Sequence, residues 1–332
     1  MSKDDDYLVY KNLSPDAILD AVESAGFICD GHVSALNSYE NRVYQIGLED
    51  KGYIVAKFYR PGRWSDESII EEHAFTAELA EHELPVVAPL ISENGESLIR
   101  FGNFRFSLFP RVGGRTPELD NPDHLLQLGH CLARLHNVGD IKPFVHRPVI
   151  NINAYCNEQR KYILENDFIP TDLLPAYESL TTDIIGRIER SFEKAGELSF
   201  IRLHGDCHLG NILWRDDSPC LVDFDDTRMG PAIQDLWMFL SGDRSYMTSG
   251  LYDLMEGYSE FRDFDRRELQ LIEPLRSMRI MHHAGWIAQR WDDPAFPMAF
   301  PWFNTQKYWE EHILSLREQS AMLDEPSLEW LG

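Results

Sequence analysis

The sequence predicts an α+β protein with two lobes, a smaller lobe of strands and one main helix over residues 1–110 and a larger, mainly helical lobe over residues 111–332. The 332 residues, 43% of them hydrophobic, are enough to bury two substantial cores. Segments that resemble strands cluster in the first third of the chain, and helical spacing dominates the remainder. No repeat or low-complexity linker separates the lobes, so we expect them to form one unit.

The smaller lobe is predicted from start and stop signals and from apolar runs. Ser14 followed by Pro15 is typical of a helix start, and Gly26 is typical of a helix end. A polar turn over residues 36–41 lies between two strand-like segments. The remaining elements of this lobe are a strand over residues 53–58, a helix over 68–82 and a strand over 104–109.

The larger lobe is predicted mainly from apolar residues at helical spacing. An Asn-Pro pair at residues 121–122 marks the start of its first helix, and Pro231 marks the start of a short one. The longer predicted helices cover residues 121–138, 155–164, 177–194, 271–290 and 306–323.

The most informative segment is LHGDCHLGNILW, residues 203–214, followed by CLVDFDD, residues 220–226. It places Asp206 five residues before Asn211, and it places Asp223 at the end of a short apolar run. In phosphoryl transfer one carboxylate orients the attacking hydroxyl, while an Asn and a second carboxylate hold Mg²⁺ against the nucleotide phosphates. A hairpin between the two motifs would carry Asp223 back beside the loop. The spacing therefore predicts a phosphotransferase with Asp206 as the catalytic residue.

The two motifs resemble those of the aminoglycoside phosphotransferase and choline kinase group, which shares the protein-kinase fold. That resemblance implies a small lobe with an antiparallel sheet plus a helix, and ATP as the phosphoryl donor. Other segments resemble one branch of the group, the bacterial stress response kinases, which are cytoplasmic Ser/Thr protein kinases. These segments are LNSYENRVYQ, VAKFYRPGRW, FPRVGGR, GPAIQDLWM, IEPLRSMR and WDDPAFPMAFPW. Autophosphorylation is expected from the same resemblance.

A nucleotide site in the smaller lobe follows from these motifs. Lys57, in Val-Ala-Lys, matches the kinase lysine that neutralises the α- and β-phosphates and needs a carboxylate partner. Glu71 and Glu72 are the candidates, and Glu72 is preferred because it shares the inward helical face. The resemblance places Ser38 at the phosphates, although the turn lacks the Gly-x-Gly-x-x-Gly pattern. By analogy of fold, backbone groups around Phe109 would bind the adenine edge.

Oxygen ligands from Asn211 and Asp223 predict a Mg²⁺ site, because Mg²⁺ prefers hard oxygen donors and retains waters and phosphates. Asp225 is a candidate for an outer-shell or second-metal role. Asp235 is predicted to be structural, bonding the catalytic loop. His204 and His208 are four residues apart, but the adjacent glycines favour a loop rather than a zinc-binding helix face.

The sequence predicts the type of reaction but leaves several classes of phosphoryl acceptor open. The net charge of −24 disfavours nucleic-acid binding and favours a basic acceptor, although negative charge also serves solubility. The resemblance favours a Ser/Thr hydroxyl of a protein. The same motifs are compatible with a small alcohol such as an aminoglycoside or choline, and a partner-binding pseudokinase is a third reading. The aromatic-rich residues 286–309 are expected to pack as the core of a helical subdomain or, alternatively, to bind a cation through their aromatic faces.

Several features predict a protein of the cytoplasm, and we expect it to be a monomer. No apolar run approaches the roughly 18 residues of a membrane span. The N-terminal residues MSKDDDYLVY are acidic, unlike a signal peptide. Five scattered cysteines without a C-x-x-C pair favour reduced thiols.

Overall fold

The computed structural model describes Tyr10, residues 12–50 and residues 52–331. The acidic N-terminal stretch, on which part of the expected location rests, lies outside the described residues except for Tyr10. Within the described ranges, none of the helices is long and apolar enough to cross a membrane.

The described residues contain strands and helices in the order that the sequence pattern predicts for an α+β protein. The strands are β1 (Cys29–Ala35), β2 (Arg42–Leu48), β3 (Tyr53–Phe58), β4 (Ile99–Phe101), β5 (Phe104–Pro110), β6 (Ile201–Leu203), β7 (Ile212–Arg215), β8 (Ser218–Leu221) and β9 (Arg228–Gly230). The helices are α1 (Pro15–Ser24), α2 (Asp66–Glu81), α3 (Pro122–Gly139), α4 (Glu158–Glu165), α5 (Leu174–Ala195), α6 (Ile233–Leu236), α7 (Arg244–Ser259), α8 (Ile272–Ala288), α9 (Ala295–Ala299) and α10 (Gln306–Met322).

The chain divides into two compact units that are interleaved in sequence. The first unit comprises the chain up to Glu118 together with Phe144–Arg147 and His208–Thr227. The second unit comprises Leu119–Pro143, Pro148–Cys207 and the chain from Arg228 onward. The sequence-based division at residue 110 remains a prediction about lobes.

The first unit is built on an antiparallel sheet with the strand order β1-β2-β3-β5-β4. One face of this sheet packs against α1, which begins at the predicted Ser14, whose hydroxyl accepts the N–H of Ala17. Phe58 and Phe106, from β3 and β5, stack with their ring centroids 5.2 Å apart and are fully buried. This apolar layer fixes the register of β3, and therefore the position of Lys57 near its end.

A separate hairpin, β7–β8, belongs to the same unit and carries the Asp223 motif. Ile212 pairs with Leu221 in the hairpin, and Leu221 also bridges to Val86 in the segment after α2. The N–H of Val222 donates to the carbonyl of Asn211 at 3.0 Å. Asn211 and Asp223 are therefore held at the same end of one hairpin.

The second unit is mainly helical, and α3 lies very close to α7. A Cβ atom on Gly129 would lie 2.1 Å from the carbonyl oxygen of Leu254, and one on Gly257 would lie 2.0 Å from that of Leu126. Glycine at both positions is therefore what lets the two backbones approach. The short strands β6 and β9 pair antiparallel in this unit, and the chain leaves β6 directly into the loop that bears Asp206.

The aromatic-rich residues 286–309 form packed structure in the second unit. Phe296, Phe303 and Trp309 are no more than 1% exposed. Phe303 contacts Trp309 edge-on with centroids 5.5 Å apart. Of the two expectations for this segment, core packing therefore describes these three side chains.

Candidate active site

A cavity of about 240 Å³ lies in the first unit. Ser38, Lys57, Glu72, Phe109 and Asp223, all predicted from the sequence, line it. Apolar side chains supply much of the remaining wall, including Val43, Val55, Val87, Val112, Leu213 and Val222. An apolar cleft with a few convergent charges is the usual form of a small-ligand site.

Lys57 is surrounded by carboxylates. Its Nζ atom lies 3.1 Å from Asp223, 3.0 Å from Asp225 and 3.9 Å from Glu72. Burial disfavours its charge, but the three nearby carboxylates outweigh burial and raise the pKa of Lys57 well above its ordinary value. The lysine is therefore a fixed positive charge at the wall of the cavity.

The two candidate glutamates of α2 have different partners. Glu72 is buried and faces Lys57. Glu71 instead accepts backbone N–H groups from Val145, His146 and Arg147. The structure therefore places Glu72, and not Glu71, beside the lysine.

Arg147 is a site residue that sequence reasoning missed. Its guanidinium pairs with Glu72, and it also donates to the carbonyl of Asp225 at 2.8 Å and to the carbonyl of Ser68 at 2.9 Å. It lies over the Trp64 ring, 4.5 Å from the centroid. Arg147 thus ties α2 to the segment after Asp223, and no local motif around residue 147 signals this.

Asp225 is bound by cations of the protein itself. Arg63 lies 2.5 Å from one of its oxygens and Lys57 lies 3.0 Å from the other. Burial opposes the charge, but Arg63 and Lys57 outweigh it and lower the pKa of Asp225 to about 2. Asp225 is only 4% exposed, so this arrangement favours an anchoring role over that of a metal ligand.

Asp223 differs from Asp225 in both exposure and backbone. Its side chain is 56% exposed. Its backbone is left-handed, with φ +60° and ψ +69°. Such a conformation costs energy in most residues, is less costly for Asp or Asn, and often occurs at functional sites. Asp223 is one of the residues that line the cavity.

Asn211 and Asp223 suit a Mg²⁺ ion in donor chemistry. They supply an amide and a carboxylate oxygen from the same end of the β7–β8 hairpin. Mg²⁺ commonly uses one or two protein carboxylates and completes its shell with waters and substrate phosphates. Among the described residues, no group of three or more His, Cys, Asp or Glu side chains is arranged to hold a metal.

The loop that carries Asp206 is held in the second unit by Asp235, as predicted. Asp235 Oδ2 accepts the N–H of His204 and Oδ1 accepts the N–H of Gly205, both at 2.8 Å. His136 lies 3.2 Å from the same carboxylate, and the side chain of Gln234 donates to the carbonyl of Gly205 at 3.1 Å. The loop backbone is therefore held by the side chains of Asp235 and Gln234, independently of the Asp206 side chain.

Two neighbours of Asp206 complete this part of the site. Arg279, from α8, pairs with the Asp206 carboxylate. The sequence left open whether Arg279 pairs with an acidic loop or binds a phosphorylated segment, and it did not identify Asp206 as the partner. Cys207 is fully buried, and burial raises the pKa of its thiol well above the ordinary value. The Cys207 thiol is therefore poorly suited to oxidation.

Glu268 supports α6, which bears Asp235. Glu268 is 4% exposed, and its Oε2 accepts the backbone N–H of Ile233 at 2.8 Å. Burial raises the pKa of Glu268 to about 7, although the Ile233 N–H acts in the opposite direction. The buried side chain therefore remains protonated well above the pH at which an unfolded glutamate ionises.

We expect Glu268→Gln to flatten the pH dependence of stability. The folded pKa exceeds the unfolded value of 4.5, so this side chain's contribution is complete below about pH 4.5 and is lost as the pH rises through about 7. Glutamine stays neutral and its oxygen can still accept the N–H of Ile233. Thermal unfolding at about pH 5 and about pH 8 should show a smaller fall in Tm for the variant than for the parent. Glu325→Gln, at an exposed position, is the control, and equal falls in Tm for all three proteins would contradict the expectation.

The sequence is similar to a known protein family and to individual proteins. Residues 32–272 match the profile of the phosphotransferase enzyme family, APH. The chain belongs to this family. Stress response kinase A of Escherichia coli strain K12 is 44% identical over 320 residues, which cover 96% of each chain. A Salmonella typhimurium LT2 protein called serine/threonine protein kinase RdoA is 43% identical over 325 residues, or 98% of each chain.

Solved structures of other phosphotransferases share the fold. Amicoumacin kinase hAmiN, in complex with AMP-PNP, Ca²⁺ and Ami, covers 96% of each chain with a TM-score of 0.71 and 19% identity. A microcompartment-associated aminopropanol kinase covers 93% of this chain and 97% of its own, with a TM-score of 0.70 and 15% identity. The predicted kinase-like α+β fold, and the resemblance to stress response kinases, are confirmed.

Proposed function

We propose that this phosphotransferase is an ATP- and Mg²⁺-dependent Ser/Thr protein kinase that also phosphorylates itself. The observation that carries the proposal is the buried Lys57 held between Asp223 and Glu72 at the wall of an apolar cavity. This is the arrangement that nucleotide-dependent phosphoryl transfer needs for phosphate anchoring and metal binding.

On the nucleotide side, we assign phosphate contacts to Lys57 and Ser38. Glu72 is a positioning residue for Lys57. The adenine edge would meet the backbone near Phe109, where β5 ends. Pro110 has no N–H, so the donor to adenine must come from a neighbouring peptide.

Asn211 and Asp223 are the residues that we assign to Mg²⁺. The ion, when bound, neutralises negative charge that accumulates on the phosphate oxygens during transfer. Asp225 serves as an anchor through Lys57 and Arg63 and is not assigned to the metal.

Asp206 orients the acceptor hydroxyl. In the step, the hydroxyl oxygen forms a bond to the γ-phosphorus, the bond to the β–γ bridging oxygen breaks, and ADP leaves with that electron pair. The hydroxyl proton passes to Asp206 and then to solvent. Since the covalent chemistry is simple, positioning and charge neutralisation supply most of the acceleration.

A protein acceptor is supported by the relatives that cover almost the whole chain. One is called a serine/threonine protein kinase, and its 43% identity extends over 98% of both chains. A monomer in the cytoplasm is part of the same proposal. The solved structures carry small-molecule kinase names, but at 15–19% identity they inform on the fold alone.

The proposal is tested with purified full-length protein, γ-labelled ATP and Mg²⁺. Parallel reactions contain no acceptor, a dephosphorylated Ser/Thr-rich protein, or a panel of amino alcohols and aminoglycosides. Phosphoamino-acid analysis identifies the labelled residue, and omission of Mg²⁺ tests the metal dependence.

Label on Ser or Thr of the enzyme and of the added protein is the expected result. Label on a small alcohol alone would overturn the protein-acceptor assignment and retain the phosphotransferase. ATP binding without transfer to any acceptor would point to a pseudokinase.

A further inference from the structure

One cationic group lies directly at the proposed base. Arg279 of α8 pairs with the carboxylate of Asp206, and the Arg279 side chain is 42% exposed. A guanidinium has five N–H donors in one plane, so it can contact Asp206 and a second carboxylate at the same time. Any acceptor hydroxyl that reaches Asp206 therefore also meets Arg279.

Arg279 begins a strip of arginine and aromatic residues, Arg279, His283, Trp286 and Arg290, which we call the α8 strip. Successive members are three or four residues apart, so those within α8 share one helical face. His283 stacks on Trp286 with ring centroids 5.7 Å apart, and Arg290 lies over the same indole, 5.4 Å from its centroid. The rise of a helix separates Arg279 from Trp286 by about 10 Å.

The opposite face of α8 packs in the core. Met278, Met281, Ala284 and Ile287 are at most 1% exposed. His283, in contrast, is exposed, and Arg279, Trp286 and Arg290 are partly exposed. The α8 strip is therefore a surface of the second unit that starts at the catalytic carboxylate.

The charge of this strip is opposite to that of the chain. The net charge of −24 repels acidic peptides at long range, so the two arginines of the strip, the first of which contacts Asp206, form a local exception. Arginine on an aromatic face is also a rigid and weakly hydrated donor for carboxylates.

We infer that the α8 strip binds an acidic segment of the acceptor polypeptide, with Arg279 contacting a carboxylate next to the phosphorylated Ser or Thr. The inference rests on the proposed protein-kinase function and adds its substrate class. It replaces the basic acceptor expected from net charge with an acidic one.

Peptide binding tests this inference without requiring transfer. Two fluorescent nine-residue peptides have a central Ala flanked by Glu in one and by Lys in the other. Anisotropy with the full chain should show the Glu peptide binding at least about tenfold more tightly, and Arg279→Gln should reduce that affinity about tenfold. Arg279→Lys should retain part of the affinity for the Glu peptide. Arg317→Gln, an exposed arginine on α10, makes the same charge change and should have no effect.

Arg290→Gln gives a second test at a distance from the catalytic loop. It should weaken binding of the Glu peptide with little effect on binding of the Lys peptide. A merely structural role for either arginine would not distinguish the two peptides.

Transfer to the corresponding Ser peptides separates this inference from the proposed function. Equal binding of both peptides, or tighter binding of the Lys peptide, overturns the acidic-segment inference even if the protein phosphorylates Ser. Suppose that the Glu peptide binds preferentially, that this preference depends on Arg279, and that no phosphate is transferred to Ser. This result would uphold the binding of acidic peptides at the α8 strip and overturn the protein-kinase assignment.

Discussion

Asp206→Asn should lower kcat for phosphoryl transfer by about 10³-fold, within the range of 10²–10⁴ that follows loss of a general base. The amide cannot accept the hydroxyl proton, and it also loses the charge that pairs with Arg279. The loop should keep its shape because Asp235 and Gln234 bind its backbone and not the Asp206 side chain.

Single-turnover kinetics with saturating MgATP measures this loss, and the Kd for MgATP measured separately should change little. Asp172→Asn, at an exposed position of the second unit, is the matched control and should keep parental kcat. Near-normal turnover in Asp206→Asn would remove this residue from the chemical step.

Asp223→Asn should lower kcat/KM for MgATP by about 10²-fold or more and raise the Mg²⁺ concentration needed for half-maximal rate. Asparagine tolerates the left-handed backbone at this position, so the substitution removes charge without adding strain. Lys57 would also lose one of its carboxylates and bind phosphate in a changed orientation.

Asp217→Asn is the control for this variant. Asp217 also has a positive φ, +57°, in the turn of the same hairpin, and it is exposed. Titration of activity with Mg²⁺ at fixed ATP should shift only for Asp223→Asn. An unchanged Mg²⁺ dependence would show that Asp223 does not hold the ion.

Local signals in the sequence were sufficient for most of the fold. Helix α1 follows its Ser14 cap, β3 spans the predicted residues, and α10 agrees with the prediction within one residue. The helix expected from residue 155 begins at Glu158, because residues 153–157 form a π-helical turn that periodicity does not resolve. Helix α7 and the three-residue strands β6 and β9 were not predicted, since the strands depend on pairing across the chain rather than on their own pattern.

The sequence predicted the groups that carry motifs and did not identify which carboxylates the distant arginines contact. Lys57, Glu72 and Asp223 converge as their motifs imply. Arg147 and Arg279 are 75 and 73 residues from their carboxylate partners. Arginines are common on surfaces, and only the folded chain shows which of them a carboxylate contacts.

The interleaving of the first unit has a consequence for biosynthesis. Its final stretch, His208–Thr227, supplies Asp223 and Asp225 long after Lys57 has been translated. At 5–20 residues per second, a ribosome needs on the order of ten seconds to pass from Glu118 to Thr227. Until that stretch is made, Lys57 can pair with Glu72 but lacks Asp223 and Asp225. A fragment truncated at Glu118 would keep that deficit permanently, so the first unit is a poor candidate for expression as a contiguous piece.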